Sequence, residues 1–127
     1  FSEYEPRSGS YGADCFHCHG GADLSDHQFH NNGLAPANQD HGRFDFTKLD
    51  GDKLKFSTPS LRNLTKTAPY MHDGRFATLE EVIDHYSGAM HQSESLDPNL
   101  AKHPKLGLQL KPDDKKALVA FLKSLSE

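Results

Sequence analysis

Apolar residues recur at helical spacing in the second half of the chain, between Thr78 and Gly88. Thr78 is followed three residues later by Glu81, which is the spacing of a capping box at the start of a helix. The apolar stripe that follows consists of Leu79, Val82, Ile83 and Tyr86. Because glycine is common where helices end, the pattern predicts a helix from Thr78 to Gly88 with Tyr86 on its buried face.

A second helix is predicted at the carboxyl end of the chain. Pro112 suits the first turn of a helix, and Asp113 and Asp114 suit the positive end of the helix dipole. One apolar face is formed by Leu118, Phe121, Leu122 and Leu125. A shorter helix is predicted to follow the turn at residues 57–64.

The rest of the chain is rich in turn signals and poor in periodicity. Three clusters follow one another between residues 22 and 56: Asn31-Asn32-Gly33, Asp40-His41-Gly42 and Asp50-Gly51-Asp52. Residues 1–14 predict an irregular lead-in, and residues 93–104 a second turn-rich stretch. Loops this long are tolerated when they wrap around a cofactor. The pattern therefore predicts an all-α domain of short helices and long loops around a bound group.

The run from Cys15 to His19 carries the clearest chemistry in the sequence. It reads Cys-Phe-His-Cys-His and matches C-x-x-C-H, the attachment pattern of a c-type haem. The two thiols add across the haem vinyl groups to form thioether links, and the imidazole of His19 binds the iron as the proximal ligand. One helical turn can carry all three groups to one face of the ring. We therefore predict one covalent haem c, bound by Cys15, Cys18 and His19.

Two other uses of paired cysteines fit the sequence less well. A structural zinc site needs a second pair of soft ligands, and the sequence contains only two cysteines. A redox dithiol normally follows a strand in a β-α-β pattern, and the sequence around Cys15 and Cys18 shows no such pattern. The lack of further cysteines and the lack of a β-α-β pattern both favour haem attachment.

The composition agrees with one domain built around a cofactor. The chain has 127 residues, of which 35% are hydrophobic and none is tryptophan. This hydrophobic content is low for a globular core. An apolar porphyrin in the centre corrects that deficit. The net charge of −4 and the pI near 6.1 argue against nucleic acid or an anionic membrane as the main partner.

The sequence also bears on where the protein works. No apolar run approaches the about 20 residues that a membrane span needs, and no signal-peptide pattern is present. Because thioether-linked cytochromes of this kind mature outside the cytoplasmic membrane, we expect a periplasmic or otherwise extracytoplasmic location. The chain begins at Phe1 without an initiator Met, so we expect residues 1–127 to be a single haem domain from a longer protein.

Three further runs give the sequence a family resemblance. Residues 58–63 (Thr-Pro-Ser-Leu-Arg-Asn), 67–74 (Thr-Ala-Pro-Tyr-Met-His-Asp-Gly) and 78–82 (Thr-Leu-Glu-Glu-Val) resemble motifs of bacterial di-haem cytochrome c peroxidases. The MauG-type enzymes, which mature methylamine dehydrogenase, share the pattern. The similarity runs from the haem motif through residues 118–125. Those enzymes carry two haem domains, whereas this sequence has one C-x-x-C-H and resembles the carboxy-terminal domain, a class I cytochrome c-like fold.

The resemblance implies that the two haems of the family have different roles. In that family peroxide is reduced at the amino-terminal haem, and the carboxy-terminal haem passes or stores electrons. We therefore expect electron transfer by this chain, no peroxidase catalysis by the chain alone, and the second haem domain of a parent protein or a redox partner protein as its partner. The alternatives are a free-standing mono-haem electron carrier and a haem subunit of a larger oxidoreductase complex.

The sixth iron ligand is the main chemical question that the resemblance raises. The peroxidases have an axial Met, and the MauG-type enzymes an axial Tyr, at the position that falls without gaps on Tyr86. Met90 is the alternative, although Gly88 interrupts the helix before it. Met71 corresponds to a family position without iron contact, and we interpret it as a packing residue. An open iron or another His also remains compatible with the sequence.

The resemblance implies further binding residues. Arg62 and Asn63 match residues that hold the haem propionates, although Arg62 also fits an ordinary surface position. The backbone carbonyls of Thr67 and Pro69 match a calcium site between two haem domains, and hard carbonyl oxygens suit calcium. Among nine histidines only His19 has a role from a motif. His27, His30 and His41 are expected to be solvated loop residues.

Overall fold

The computed structural model describes residues 1–2, 12–103 and 107–127, so most of the predicted lead-in lies outside the described residues. Within these ranges the chain forms four α helices: α1 (Phe44–Thr47), α2 (Leu79–Gly88), α3 (Pro98–Ala101) and α4 (Pro112–Ser124). It also forms 3₁₀ turns at Cys15–His17, Asp50–Asp52 and Leu64–Lys66. Two short strands are β1 (Phe29–His30) and β2 (Phe56–Ser57). No helix in the described part of the chain is long and apolar enough to cross a membrane.

The predicted capping box is present at the start of α2. The backbone N–H of Glu81 donates to the Thr78 hydroxyl at 3.2 Å, and the Glu81 carboxylate accepts from the Thr78 N–H at 2.9 Å. Two N–H groups that a helix leaves unpaired are thereby satisfied, a contribution of about 1 kcal/mol. The helix ends at Gly88, as the sequence predicts.

Helices α2 and α4 pack against each other and form the main core. The buried residues of this core are Ala13, Leu64, Leu79, Ile83, Leu108, Leu118, Val119 and Leu122. The prediction for α4 is confirmed for Leu118 and Leu122, but Phe121 is 40% exposed and Val119 is buried instead. Phe121 lies at the edge of the apolar stripe, where its ring packs on Phe1 with 5.1 Å between centroids.

The prediction of an all-α domain is wrong for the first loop region. β1 and β2 form a two-stranded antiparallel sheet in which Phe29 pairs with Ser57 and His30 with Phe56. A long loop must find partners for its backbone groups, and this one does so by pairing its two ends. Strands of two residues are too short for the alternating pattern that identifies a strand in a sequence.

Two short helices also lie where the sequence predicts only turns. α1 follows the His41-Gly42 turn, and α3 occupies part of the turn-rich stretch at residues 93–104. The Asp97 carboxylate caps α3 by accepting from the N–H of Asn99 at 2.9 Å, and Pro98 takes the first helical position. Both helices have four residues, less than the window in which helical periodicity can be seen.

Candidate haem site

The C-x-x-C-H residues form one tight turn of the chain. Cys15–His17 is a 3₁₀ turn, and the N–H groups of Cys18 and His19 both donate to the carbonyl oxygen of Cys15, at 3.3 and 2.9 Å. This hydrogen bonding keeps the two thiols and the imidazole within a single turn of backbone. The compact turn is the arrangement that attachment of one ring at three points requires.

A buried carboxylate joins this turn to α3. Asp14 comes directly before Cys15 in the left-handed conformation, with φ 55°, and its side chain is 2% exposed. Its carboxylate pairs with the ammonium of Lys102 at 2.7 Å, and His103 lies 3.4 Å away. Since Lys102 follows the last residue of α3, the ion pair ties the start of the haem turn to a distant part of the chain. Nothing in the local sequence pattern predicts this contact.

The imidazole of His19 is prepared for binding a metal through Nε2. Nδ1 lies 3.0 Å from the carbonyl oxygen of Leu24, and because a carbonyl only accepts, Nδ1 carries the proton. The lone pair is therefore on Nε2. Burial lowers the pKa of His19, so the ring is held in the neutral form that binds iron. This arrangement fits the predicted role as proximal ligand.

The two thiols are held in their protonated form. Burial is the main cause that raises the pKa of both, and the nearby carboxylates of Asp97 and Asp26 help to raise that of Cys18 to about 12. A redox dithiol requires the opposite, a lowered thiol pKa. Zinc would need thiolates in a pocket that disfavours negative charge. Neutral thioethers are the product that this environment accommodates best.

Cys18, Asp26 and His30 place possible metal-binding atoms within 4.8 Å of one another. His30 is nevertheless committed to two carboxylates, with Nδ1 2.6 Å from Asp97 and Nε2 2.7 Å from Asp26. Burial acts to lower the pKa of His30, but the hydrogen bonds to Asp26 and Asp97 outweigh it and raise the pKa. His30 is thus a partly buried residue hydrogen-bonded to two acids, rather than the solvated loop residue that the sequence predicts.

Tyr86 is a partly buried residue of α2 that packs against the same core as Cys15. Burial raises the pKa of Tyr86 to about 12. The amide of Asn32 donates a hydrogen bond to the Tyr86 hydroxyl oxygen at 3.3 Å. The role of Tyr86 as sixth ligand stays a prediction.

The two methionines differ in their surroundings. Met90 is 3% exposed and lies under the loop at Gly33, where a Cβ atom would come within 2.9 Å of the Met90 Cβ. The sulfur of Met71 instead lies 3.4 Å from the Asn32 amide nitrogen that also reaches Tyr86. Of the two methionines, Met71 therefore shares a hydrogen-bond donor with Tyr86. The alternative ligand role of Met90 is not tested by these contacts.

Arg62 and Asn63 are both exposed and contact the backbone. Nε of Arg62 donates to the carbonyl oxygen of Ala22 at 2.8 Å, and a terminal nitrogen of the same guanidinium reaches that oxygen too. Asn63 has φ 59°, and its side-chain oxygen accepts from the N–H of Glu127 at 3.1 Å. Arg62 is thus held beside the loop that follows the haem motif, while propionate binding by either residue stays a prediction.

Thr67 and Pro69 are exposed residues of one tight loop. The hydroxyl of Thr67 donates to the carbonyl oxygen of Leu64 at 3.2 Å, and the Ala68–Pro69 peptide bond is cis. The hydroxyl of Tyr70 donates to the same Leu64 oxygen at 2.9 Å. The calcium assignment for Thr67 and Pro69 stays a prediction.

The structure adds Asn32 and His85 to the site. Asn32 reaches Tyr86 through its side chain, and its backbone oxygen accepts from Nε2 of His85 at 2.9 Å. In the sequence, Asn32 belongs to an Asn-Asn-Gly turn signal and His85 lies outside the apolar stripe of α2. A local pattern contains no signal for a contact between residues 54 positions apart.

Comparisons with known proteins agree with these observations. The chain matches the cytochrome c family over residues 8–126. It is 36% identical to the cytochrome-c peroxidase IdrP2 of Denitromonas iodatirespirans, over 97% of this chain and 38% of that protein. It is 35% identical to the methylamine utilization protein MauG of Methylorubrum extorquens, over 89% of this chain and 31% of that protein.

One further relative and one solved structure extend the comparison. The cytochrome c551 peroxidase of Pseudomonas aeruginosa is 34% identical, over 88% of this chain and 30% of that protein. The crystal structure of a MauG-like protein associated with microbial copper homeostasis superposes with a TM-score of 0.72 and 39% identity, over 91% of this chain and 43% of that chain. The chain thus spans 30–38% of the length of the three sequence relatives.

Proposed function

The chain belongs to the cytochrome c family and is related to the di-haem cytochrome c peroxidases and MauG, and we propose that it is an electron-transfer domain whose haem c is held by Cys15, Cys18 and His19. The observation that carries the proposal is the His19 imidazole, whose Nδ1–H bond to Leu24 leaves the Nε2 lone pair available to the iron of a haem that Cys15 and Cys18 of the same turn would attach. The fold is a cytochrome c domain with few short helices and a small sheet.

The chemistry divides between the cofactor and the chain. Bound haem supplies a one-electron couple at its iron. Cys15 and Cys18 fix the ring, and His19 contributes a neutral ligand whose orientation the Leu24 carbonyl maintains. Burial disfavours charge on Cys15 and Cys18. Thioethers are neutral, so haem attachment through these two residues would add no charge to a buried part of the chain.

Tyr86 is the proposed sixth ligand, with Met90 as the alternative. A bound phenolate is an anionic donor, which stabilises ferric over ferrous iron and holds the reduction potential low, whereas a Met ligand raises it. The packing of Tyr86 against the same core as Cys15, and the hydrogen bond that its oxygen accepts from Asn32, support this choice. Arg62 and Asn63 are proposed to contact the propionates, and Thr67 and Pro69 to offer carbonyl oxygens to calcium.

The parent protein is proposed to be a two-haem oxidoreductase outside the cytoplasmic membrane, with a second haem domain as the direct partner. The similarity of the chain to cytochrome-c peroxidases and to MauG supports this proposal. A free-standing carrier and a haem subunit of a larger complex are the alternatives. A second C-x-x-C-H upstream in the parent gene favours the two-haem enzyme, whereas a signal peptide directly before Phe1 favours the carrier.

Covalent haem attachment is tested by denaturing gel electrophoresis with haem staining, together with intact mass. The expected result is one haem retained per chain, and its loss in a variant with both Cys15→Ala and Cys18→Ala. A potentiometric titration should fit a reversible one-electron couple. Release of the haem from the wild-type chain under denaturing conditions would refute the attachment.

A further inference from the structure

Asn32 belongs to the first loop region, and its side chain contacts Tyr86 of α2, the proposed sixth ligand. We infer that Asn32 is a positioning residue for Tyr86, and that its amide raises the reduction potential of the haem by donating a hydrogen bond to the Tyr86 oxygen. This inference rests on the proposed function, in which Tyr86 binds the iron. It concerns a side chain that has no role in the family resemblance described above.

The contacts of Asn32 involve two consecutive residues of α2. Its side-chain nitrogen donates to the hydroxyl oxygen of Tyr86 at 3.3 Å, and its backbone oxygen accepts from Nε2 of His85 at 2.9 Å. Because a carbonyl oxygen only accepts, Nε2 of His85 carries the proton that is donated to Asn32. One loop residue therefore fixes both the helix and the oxygen of the ligand.

The residues beside Asn32 keep it in place. Asn31 is 1% exposed, and its amide nitrogen donates to the hydroxyls of Ser93 and Ser95, each at 2.9 Å. The side-chain oxygen of Asn31 accepts from the N–H of Gly33 at 2.9 Å. The backbone on both sides of Asn32 is thus held by a buried amide, so the Asn32 side chain is presented to Tyr86 from a fixed position.

A primary amide suits this position because it has two N–H donors and no charge. One donor reaches Tyr86, and the same nitrogen lies 3.4 Å from the sulfur of Met71, which can only accept. A tyrosine bound to iron as phenolate is also purely an acceptor. Both neighbours therefore require the NH₂ end of the Asn32 amide, and not its oxygen, to face the iron ligand.

The hydrogen bond has a predictable effect on the haem. A donor withdraws electron density from the phenolate oxygen, which weakens its stabilisation of ferric iron and raises the potential. Partners of this kind typically change metal binding by about 10-fold or more. For a one-electron couple, a 10-fold change in the ferric-to-ferrous equilibrium corresponds to about 59 mV.

The test compares the haem-loaded chain with Asn32→Leu, which has a similar size and no donor. We expect Asn32→Leu to keep its haem and far-ultraviolet circular dichroism, to lower the potential by about 59 mV, and to shift the phenolate-to-iron absorption band. Asn32→Gln retains the amide and should recover part of the difference. Asn38→Leu, an exposed asparagine of the same loop region, should leave both readouts unchanged.

If Asn32→Leu does not fold, Asn32→Asp preserves the side-chain shape while replacing the donor by an anionic acceptor. We expect Asn32→Asp to lower the potential further than loss of the donor alone. A wild-type potential and ferric spectrum in Asn32→Leu or Asn32→Asp, with Tyr86→Phe still altering the spectrum, would overturn the inference and leave the proposed ligand standing. An unchanged ferric spectrum in Tyr86→Phe would instead overturn the ligand assignment, and the role of Asn32 with it.

Discussion

Replacing Tyr86 by Phe separates the effect of the ligand oxygen from the effect of the ring. The Tyr86 ring packs edge-on against His85, with 5.0 Å between centroids, and Phe retains this contact. The hydroxyl accepts one hydrogen bond from Asn32 at 3.3 Å. Loss of that bond is expected to lower the free energy of unfolding by about 1 kcal/mol. The fold should therefore survive the change.

The effect at the iron should be much larger. The protein environment raises the pKa of Tyr86 to about 12, two units above the ordinary value of 10.0, chiefly through burial. With a pKa of about 12, forming the phenolate at neutral pH costs roughly 7 kcal/mol. The iron–oxygen bond must exceed this cost if Tyr86 is the ligand. Deleting the oxygen removes that bond while changing the fold only slightly.

The raised pKa of Tyr86 also sets the direction in which its coordination to iron depends on pH. The pKa of Tyr86 is high without the influence of the iron and falls when the metal charge stabilises the anion. Binding of Tyr86 to iron therefore releases a proton. Coordination is favoured as the pH rises and is lost as the pH falls through the pKa of the bound state. An acid titration of the ferric absorption spectrum should show loss of the phenolate band.

The assay combines the ferric spectrum, cyanide titration and potentiometry of the haem-loaded chain. Tyr86→Phe should lose the phenolate band, bind cyanide more tightly and show a higher potential. Tyr70→Phe is a matched control, because its hydroxyl also makes one hydrogen bond, to Leu64 at 2.9 Å. Met90→Leu should likewise change little. If Met90→Leu abolished a thioether-to-iron band while Tyr86→Phe left the spectrum intact, Met90 would be the ligand and the reasoning wrong.

Three further predictions follow from the site and the core. The chain alone should show little or no peroxide turnover with a reduced cytochrome or dye as donor, because both axial positions of its iron are proposed to be filled; turnover comparable to that of a two-haem enzyme would refute this division of labour. Thr78→Ala should lower the free energy of unfolding by about 1 kcal/mol, measured by urea denaturation, whereas Thr78→Ser retains the cap and should stay near wild type; equal losses would exclude capping as the cause. The raised pKa of His30 predicts stability that is complete below the unfolded-state pKa and is lost as the pH rises through the folded-state pKa. Urea titrations from about pH 5 to about pH 9 should show this loss in wild type and not in His30→Gln, and parallel curves for the two proteins would count against it.

The features that the sequence predicts well are those that are encoded locally. Helix α2 has its cap, its apolar stripe and its terminal glycine within one short segment, and the structure confirms each of them. The C-x-x-C-H run contains the whole attachment chemistry within one turn. The two-residue strands β1 and β2 and the four-residue helix α1 instead arise from packing of the long loop, and no periodic pattern can be expressed over such lengths.

The surroundings of the proposed ligand could not be predicted for a different reason. Tyr86 is assigned by family resemblance, and its place on the buried stripe follows from helical spacing. Its partner Asn32 lies 54 positions away in a turn that suits almost any loop. The Asn32 position depends on the buried amide of Asn31 and on Ser93 and Ser95, so it results from tertiary structure. Long-range polar contacts of this kind have no signature in a single sequence.

The residues proposed to hold the haem share one electrostatic property. Burial lowers the pKa of His19 and raises the pKa values of Cys15, Cys18 and Tyr86, so that each side chain is held in its neutral form. A neutral, buried pocket suits an apolar porphyrin and discourages capture of other metals by thiolates. In the proposed site, the Tyr86 anion therefore depends on the charge of the iron. The Asn32 amide donates a hydrogen bond to the Tyr86 oxygen. We expect the charge of the iron and this hydrogen bond together to set the reduction potential of the electron-transfer site.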